Sequence, residues 1–218
     1  MEFCKTHILA FIALLSCISV AHSWGVDGHF ITCKLAQPRL SKAAANAVSE
    51  LLGDNDLASL CSWADHVKFR YHWSSPLHYI DTPDNLCTYQ YNNNLTEALL
   101  FLSHFIGDIH QVWDDSIIET AEERFYDSNV DELINTLHKN ISTVWANQAK
   151  AWEACSKTAC PDIYASEGIE AACDWAYKGV SEGSVLEDDY FLSRYPVVNM
   201  RLAQGGVRLA ATLNRIFG

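Results

Sequence analysis

The sequence predicts an all-α fold. Apolar residues recur at the helical period of about 3.6 residues in one segment after another, and helix-capping residues stand at the ends of several of these segments. The alternation of apolar and polar residues that marks a β-strand is weak throughout the chain. We therefore expect a single multi-helix domain of about eight helices.

The first 23 residues predict a secretory signal peptide. Lys5 lies in a short polar start, an apolar run extends from Ile8 to Val20, and small residues precede Trp24. This run is too short to span a bilayer, so an uncleaved anchor is the weaker alternative. Cleavage after Ser23 would leave a mature domain, residues 24–218, that is secreted or delivered to the endomembrane or vacuolar lumen.

Three helices are expected in the first part of the mature chain. Pro38 limits the first to roughly residues 28–37. Ser41 is a good N-cap for the second, KAAANAVSELL, and Gly53 is a good stop. Asp56 can open the third, DLASLCSWADHVKFR.

A long apolar helix is predicted next, in the stretch LTEALLFLSHFIGDIHQVWD, with Asn94 or Thr96 as its cap. Shorter amphipathic helices follow at IIETAEERFY, NVDELINTLHKNIS, TVWANQAKAWEACS and PDIYASEGIEAACDWAYKG, the last with Pro161 at its start. A final helix extends from the stretch LEDDYF to the C-terminus. No linker rich in Gly, Ser or Pro divides the chain, which favours one domain.

The formal net charge of −12 argues against a nucleic-acid binder that works through a broad basic face. It does not exclude a metal-site enzyme, because divalent ions can supply the positive charge that a phosphate needs. No later stretch is apolar enough to predict a membrane span.

The cysteines and sequons fit an oxidising, secretory route. Six cysteines remain after the signal peptide, and an even number favours three disulfides. Their pairing is open, except that Cys155 and Cys160 are near one another in sequence. The sequons at Asn94 and Asn140 are expected to carry glycans.

His104 and Asp108 lie one helical turn apart on the same face of the long helix, close enough for one cation to bind both. A hydrogen-bonded pair without a metal is the alternative that this spacing alone leaves open. Further histidines and aspartates stand in apolar or capped contexts elsewhere, namely His29, Asp65, His78, His110 and Asp114. Zinc accepts such ligands, and no nucleophile elbow accompanies them, so they favour metal-assisted hydrolysis.

Several motifs, separated along the chain, match those of a known protein family. They are Trp24-Gly25 with Gly28-His29, Ser62-Trp63-Ala64-Asp65 with Lys68, the run SPLHYID at 75–81, the run LSHFIGDIHQ at 102–111, and the tail RLAQGGVRLAATLNRIFG. Together they resemble the plant bifunctional nucleases, which are secreted zinc-dependent type I nucleases similar to mung-bean nuclease and its fungal relatives. The resemblance extends from residue 24 to residue 218. It implies an all-α fold of the phospholipase C and zinc-nuclease type, with three zinc ions in a cleft.

The resemblance also implies a role for each matching residue. Trp24, through its free amine and carbonyl, would hold one ion with His29 and Asp108, while Asp65, His78, His104 and Asp108 would hold another. Asp65 would also activate the nucleophilic water, Lys68 would face the phosphate, and Tyr79 and Asp81 would hold a base. The implied disulfides are Cys33–Cys61, Cys87–Cys173 and Cys155–Cys160. Without the resemblance, an ordinary surface pair for Asp65 and Lys68, a core position for Tyr79 and a turn cap for Asp81 remain alternatives.

Two segments that the family carries are missing. One is a cysteine-containing loop after Tyr91, and the other lies between Gln111 and Val112, where the family has further histidines. The third zinc site would be held by two histidines and Asp114, and at least one of those histidines is absent. His110 stands four residues before Asp114, as the lost histidine does, and is the candidate substitute. In an unbroken helix, however, it would point about 120° away from the His104 face.

The expected function is that of a secreted zinc-dependent endonuclease that hydrolyses single-stranded DNA and RNA to 5′-phosphorylated products, with 3′-mononucleotides as further substrates. We expect a monomer with no membrane partner, two of the three zinc ions retained, and nuclease activity reduced or lost. The alternatives are a non-catalytic secreted glycoprotein that keeps the fold and, less favoured, a zinc phospholipase C.

Overall fold

The computed structural model describes residues 24–74, 95–113, 115–181 and 183–218, and the all-α prediction is confirmed for this part of the chain. The helices are α1 (Val26–Ala36), α2 (Lys42–Leu52), α3 (Leu57–Leu60), α4 (Trp63–Val67), α5 (Leu95–Asp108), α6 (Ser116–Phe125), α7 (Val130–Ser142), α8 (Ala146–Glu153), α9 (Pro161–Ala171) and α10 (Asp188–Phe217). A 3-10 turn, Gln37–Arg39, follows α1, and a π-helical turn, Ala172–Ala176, follows α9. None of the described helices is both long and apolar enough to cross a membrane.

Local sequence explains both ends of α2. The Ser41 hydroxyl accepts a hydrogen bond from the backbone N–H of Ala44 at 3.1 Å, and Gly53 ends the helix with a φ of 62°. Only a residue without a Cβ adopts that conformation at little cost. Both predicted caps are therefore confirmed.

Of the two caps predicted for α5, the structure rules out Thr96. Thr96 lies inside the helix, and its hydroxyl donates to the carbonyl of Leu51 at 3.0 Å. Thr96 thus joins α5 to the end of α2 and does not cap its own helix. Asn94, the other predicted cap, lies outside the described residues.

The predicted third helix is wrong in one respect, because the structure divides it into α3 and α4 at Cys61 and Ser62. In a continuous helix the Cys61 carbonyl would accept the backbone N–H of Asp65. Instead, that N–H donates to the Ser62 carbonyl at 3.1 Å, and the Cys61 carbonyl accepts a hydrogen bond from His104 at 2.8 Å. The break makes the Cys61 carbonyl available to a side chain of another helix.

The long helix α10 lies at the centre of the fold and packs against α1, α2, α5, α6 and α8. Gly205 and Gly206 permit the close approach of α1, since a Cβ on Gly206 would lie 2.5 Å from the Cβ of Leu35. One apolar cluster around α10 includes Trp24 and Leu202, and the other includes Leu99 and Leu209. These clusters hold α1 and α5 side by side.

Two of the three predicted disulfides are confirmed, Cys33–Cys61 and Cys155–Cys160. The third prediction is not met, since Cys173 carries a free, exposed thiol. Cys173 lies in the π-helical turn that follows α9, where its side chain is exposed at the surface. Its predicted partner, Cys87, lies outside the described residues.

Candidate metal-binding site

Three helices bring His29, Asp65, His104 and Asp108 together. α1 carries His29, the first turn of α4 carries Asp65, and α5 carries the other two. The Nε2 atoms of His29 and His104 lie 3.2 Å from Oδ1 and Oδ2 of Asp108, respectively. Oδ2 of Asp65 lies 3.9 Å and 3.6 Å from the same two nitrogen atoms. Two carboxylates and two imidazoles therefore converge in one small volume.

The two imidazole rings stack face to face, with centroids 3.7 Å apart and an interplanar angle of 17°. Both side chains are fully buried. Because each oxygen of Asp108 faces a different ring, its carboxylate has the arrangement of a group shared by two cations. The stacking thus defines two neighbouring ligand positions.

Burial and charge act in opposite directions on these histidines. Burial lowers the pKa of His29 despite the nearby Asp108, which favours the neutral imidazole that a metal ion needs. Burial also acts to lower the pKa of His104, but the hydrogen bond and charge of Asp108, with Asp65, outweigh it and raise that pKa. A cation in this site would replace the proton that the carboxylates attract.

The backbone orients the His104 ring. Its Nδ1–H donates to the Cys61 carbonyl at 2.8 Å, which leaves the Nε2 lone pair facing the carboxylates. The Cys33–Cys61 disulfide strengthens the same arrangement, since Cys33 lies one turn after His29 and Cys61 lies four residues before Asp65. This disulfide joins the segments that carry two of the candidate ligands.

Trp24 is anchored beside the cluster. Its indole is fully buried, and Nε1 donates to the Gly107 carbonyl at 2.8 Å, one residue before Asp108. Gly28 makes room for the indole, because a Cβ there would lie 2.9 Å from Cε3 of Trp24. Trp24 is thereby held against the turn of α5 that carries Asp108.

Lys68 lies 3.5 Å from Oδ1 of Asp65 through its Nζ, which is the i, i+3 pair that the sequence left as an alternative. Asn140 lies near the end of α7 and is partly exposed. The other residues predicted to act at the site or to carry a glycan lie outside the described ranges, namely His78, Tyr79, Asp81, Asn94 and Asp114.

The structure does not bring His110 to the cluster, which corrects its assignment as a substitute ligand. α5 ends at Asp108, and both ring nitrogens of His110 are used elsewhere. Nδ1–H donates to the Ile106 carbonyl at 2.7 Å, and Nε2 accepts from Nη1 of Arg208 at 2.9 Å. Neither nitrogen has a lone pair available for a metal ion.

The sequence reasoning missed the charged residues around His110. Arg208 also forms a bidentate pair with Glu167, at 2.6 and 2.8 Å, and Arg201 donates to the backbone carbonyl of His110. Their signal in the sequence was the pair of arginines seven residues apart, two turns, on an otherwise apolar helix face.

The donor atoms fit zinc. One ligand atom from each of His29, His104 and Asp108 can be chosen so that all lie within 4.8 Å of one another. Nε2 of His29, the atom that faces Asp108, is buried and makes no hydrogen bond of normal geometry in the described residues. Imidazole nitrogen and carboxylate oxygen are ordinary zinc ligands, and buried polar atoms without partners are costly unless something binds them. Fold and site together define a helical, disulfide-linked protein that could hold a metal ion.

Comparison with known proteins identifies the family. The S1/P1 nuclease profile matches residues 24–97 and 109–218. Endonuclease 2 of Arabidopsis thaliana is 52% identical over 266 residues, covering 90% of this chain and 91% of the relative. Endonuclease 4 of the same plant is 40% identical, covering 94% and 93%, and nuclease P1 of Penicillium citrinum is 25% identical, covering 89% and 98%. The chain belongs to the S1/P1 nuclease family and is by class a nuclease, a hydrolase that acts on nucleic acids.

Two details of these matches bear on the site residues and on the length of the chain. Residues 98–108 of α5 fall between the two ranges of the profile, so the roles of His104 and Asp108 rest on the geometry above. Nine-tenths of the 218 residues is about 196, against 266 aligned positions in Endonuclease 2, so about 70 of those positions have no counterpart in this chain.

Proposed function

We propose that this chain is a secreted, zinc-dependent nuclease of reduced activity that hydrolyses phosphodiester bonds of single-stranded DNA and RNA to 5′-phosphorylated products. The observation that carries the proposal is the carboxylate of Asp108, which presents one oxygen to each of two stacked histidines. His29 and Asp108, with the amine and carbonyl of Trp24, would hold one zinc ion. Asp65, His104 and Asp108, with His78, would hold a second.

Bound zinc would supply a water of lowered pKa and polarise the phosphoryl oxygens of the substrate. Asp65 is partly exposed beside both histidines, so its carboxylate can accept a proton from the attacking water. Lys68 is partly exposed beside Asp65 and could offer a positive charge to the phosphate. The buried rings of His29, His104 and Trp24 exclude solvent from the other side.

The activity is proposed to be reduced because the third zinc site lacks ligands. His110 is engaged with Arg208, which leaves Asp114 without the histidines that the family pattern supplies. The excess of about 70 aligned positions in Endonuclease 2 supports an internally shortened chain. A single aspartate is too weak a site to retain zinc.

A short strip beside Asp65 suits a single strand. Residues 66–80 contain no Asp or Glu, although the whole chain has 27. Within this strip, Phe69 is 77% exposed and Trp73 is 46% exposed. Lys68 precedes Phe69 directly, and Arg70 follows it. Exposed aromatic rings can stack on unpaired bases, and neighbouring cations can contact the phosphates. A duplex would keep its bases inside, so these residues support the single-strand preference.

The remaining parts of the proposal concern the state of the protein. The signal peptide and the sequon at Asn140 support secretion, or delivery to the endomembrane or vacuolar lumen, as a glycoprotein. We propose a monomeric domain of residues 24–218, with 3′-mononucleotides as additional substrates.

The test combines metal content with activity. The protein, purified from the medium of secreting cells, is examined by elemental analysis and assayed on denatured and duplex DNA at mildly acidic pH, with Asp65→Asn as the blank. We expect two zinc ions per chain and slow, chelator-sensitive cleavage of the denatured substrate. Three zinc ions per chain, with cleavage as fast as that of a full-length plant relative, would contradict the proposed loss of a zinc site and the reduced activity.

The second candidate is a non-catalytic glycoprotein that keeps the fold, favoured by the engagement of His110 with Arg208. It predicts no difference between the wild type and Asp65→Asn on denatured DNA. The zinc phospholipase C alternative predicts zinc-dependent hydrolysis of phosphatidylcholine vesicles by the same preparation.

A further inference from the structure

Two arginines of α10 are buried, although each carries a permanent charge. Arg201 and Arg208 are each 3% exposed. Burying a guanidinium group is costly unless its donors are satisfied. The groups that accept hydrogen bonds from these two arginines therefore indicate their role in the fold.

Arg201 binds the backbone that follows the candidate metal ligands. Its Nε donates to the carbonyl of His110 at 3.0 Å, and its Nη2 donates to the carbonyl of Ile109 at 3.3 Å. These residues come directly after Asp108, where α5 ends. The carbonyls of Ile109 and His110 lie beyond the end of the helix and accept from Arg201, so the guanidinium group fixes the backbone that leaves α5.

Arg208 reaches the same segment through a side chain. Its Nη1 donates to Nε2 of His110, and the other ring nitrogen of His110 donates back to the Ile106 carbonyl of α5. Glu167 of α9 holds the guanidinium group by two oxygens. The ring of His110 thus connects the last turn of α5 to a fixed ion pair.

Close packing leaves this segment little freedom. A Cβ on Gly168 of α9 would lie 3.3 Å from the Ile109 carbonyl oxygen, and one on Gly205 of α10 would lie 3.7 Å from Cβ of His110. α9 and α10 therefore lie close against the chain that leaves α5. Movement at residues 109–110 would be passed to Asp108, whose two oxygens lie only 3.2 Å from their histidine partners.

We propose that Arg201 and Arg208 are positioning residues of the metal site, which hold the end of α5 so that Asp108 can serve two cations. This inference rests on the zinc site proposed above. In this chain His110 is the anchor through which Arg208 acts. The interaction fixes the end of α5 shortly before the junction of Gln111 and Val112, where a segment is proposed to be missing.

The experiment measures zinc affinity by competition with a chromophoric chelator and records the visible absorption of the cobalt-substituted protein. The variants are Arg201→Lys and Arg208→Lys, which keep the charge but lose the planar fork of donors. Arg215→Lys is the matched control, because Arg215 lies on the same helix and donates to the carbonyls of Thr158 and Glu153 at 2.9 and 3.0 Å, away from the site. Glu167→Gln is a milder variant that loosens Arg208 but keeps both arginines.

We expect zinc affinity to fall about 10- to 100-fold in the two positioning variants, less in Glu167→Gln, and not at all in Arg215→Lys. The cobalt absorption bands should change in the same order. Lower melting temperatures with zinc affinity and cobalt spectra unchanged would show a structural role and overturn the inference. Should a lysine variant fail to fold, Glu167→Gln decides by the same two measurements. A wild-type protein that binds no zinc contradicts the proposed function instead, and the inference with it.

Discussion

Gly107 controls how closely α5 approaches the first of the stacked histidines. A Cβ at this position would lie 2.8 Å from Nδ1 of His29 and 3.7 Å from Cδ1 of Trp24. We expect Gly107→Ala to displace the imidazole, lower zinc affinity about tenfold, and cost about 1–3 kcal/mol of stability. Zinc titration and urea unfolding measure the two effects.

Gly179→Ala is the control for this prediction. Gly179 has a φ of 77° and open space around it, so an alanine there strains the backbone without touching the site. It should lower stability and leave zinc affinity unchanged. Equal zinc affinity in Gly107→Ala and the wild type would contradict the assigned role of His29.

Glu122 gives stability a pH dependence of known sign. Burial, then the charges of Asp27 and Glu119, raise the pKa of Glu122 from 4.5 to about 7. Between these two values the folded state binds more protons than the unfolded state, so stability falls as the pH rises through this window. Glu122→Gln removes the effect, and we expect the variant to exceed the wild type by about 1 kcal/mol at pH 8, because the side chain is partly exposed.

Urea unfolding at about pH 4 and pH 8 tests this expectation, since the difference between variant and wild type should nearly vanish at the lower pH. The exposed neighbour Glu123, replaced by Gln, serves as the control. A constant difference between Glu122→Gln and the wild type at both pH values would refute the raised pKa.

Helical spacing in the sequence correctly placed His104 and Asp108 on one face but gave no indication of the environment of His110. The one-turn spacing of His104 and Asp108 fixes their common face whatever the rest of the chain does, so it could be predicted from sequence. The environment of His110 depends on Arg208, which is 98 residues away in the chain. No local pattern reports such a partner, although two arginines on an apolar helix face were a usable warning.

At the scale of secondary structure, the disulfide Cys33–Cys61 connects α1 to the break between α3 and α4. Its residues are 28 positions apart, against 5 for Cys155–Cys160. In the loop-entropy description, removal by paired alanine substitutions should cost about 3.5 kcal/mol for the first and about 2 kcal/mol for the second. We also expect zinc affinity to fall only for the first, because only that disulfide joins the segments next to two candidate ligands, His29 and Asp65.

Denaturant unfolding and zinc competition on both double variants measure these differences. The prediction fails if the two variants lose zinc equally, since the cysteines at 155 and 160 lie away from the cluster.

Helix ends were predictable where the capping residue acts within its own segment, as Ser41 and Gly53 do for α2. The division between α3 and α4 was not, because its cause is a hydrogen bond from His104 in another helix. Apolar periodicity continues across this break, since Leu57 and Ala64 are both buried. The apolar pattern therefore indicates that α3 and α4 share a buried face, but it does not show that the helix is interrupted between them.

At the scale of the whole molecule, the shortened connection between α5 and α6 should limit both metal content and rate. Insertion of the corresponding segment of a full-length plant relative between Gln111 and Val112 should raise zinc content from two ions to three. Single-strand cleavage should increase with it, because a third cation would add charge stabilisation at the phosphate. Elemental analysis and initial rates on denatured DNA are the measurements.

A scrambled insert of equal length is the control for the change in chain length. An insert that restores three ions but leaves the rate unchanged would show that the missing segment is not what limits activity.

The close approach of α1 to α10 at Gly205 and Gly206 has a consequence for biosynthesis. α1 carries His29, and the helix that covers it, α10, begins only at Asp188, so it leaves the ribosome long after α1. Ser41 and Asn214 form a hydrogen bond across 173 positions, which shows how far apart in synthesis these contacts are. Local helices can form as the chain emerges, but contacts of such separation must wait until α10 has been synthesised. Assembly of the site, and with it the capture of metal, therefore cannot precede the synthesis of α10.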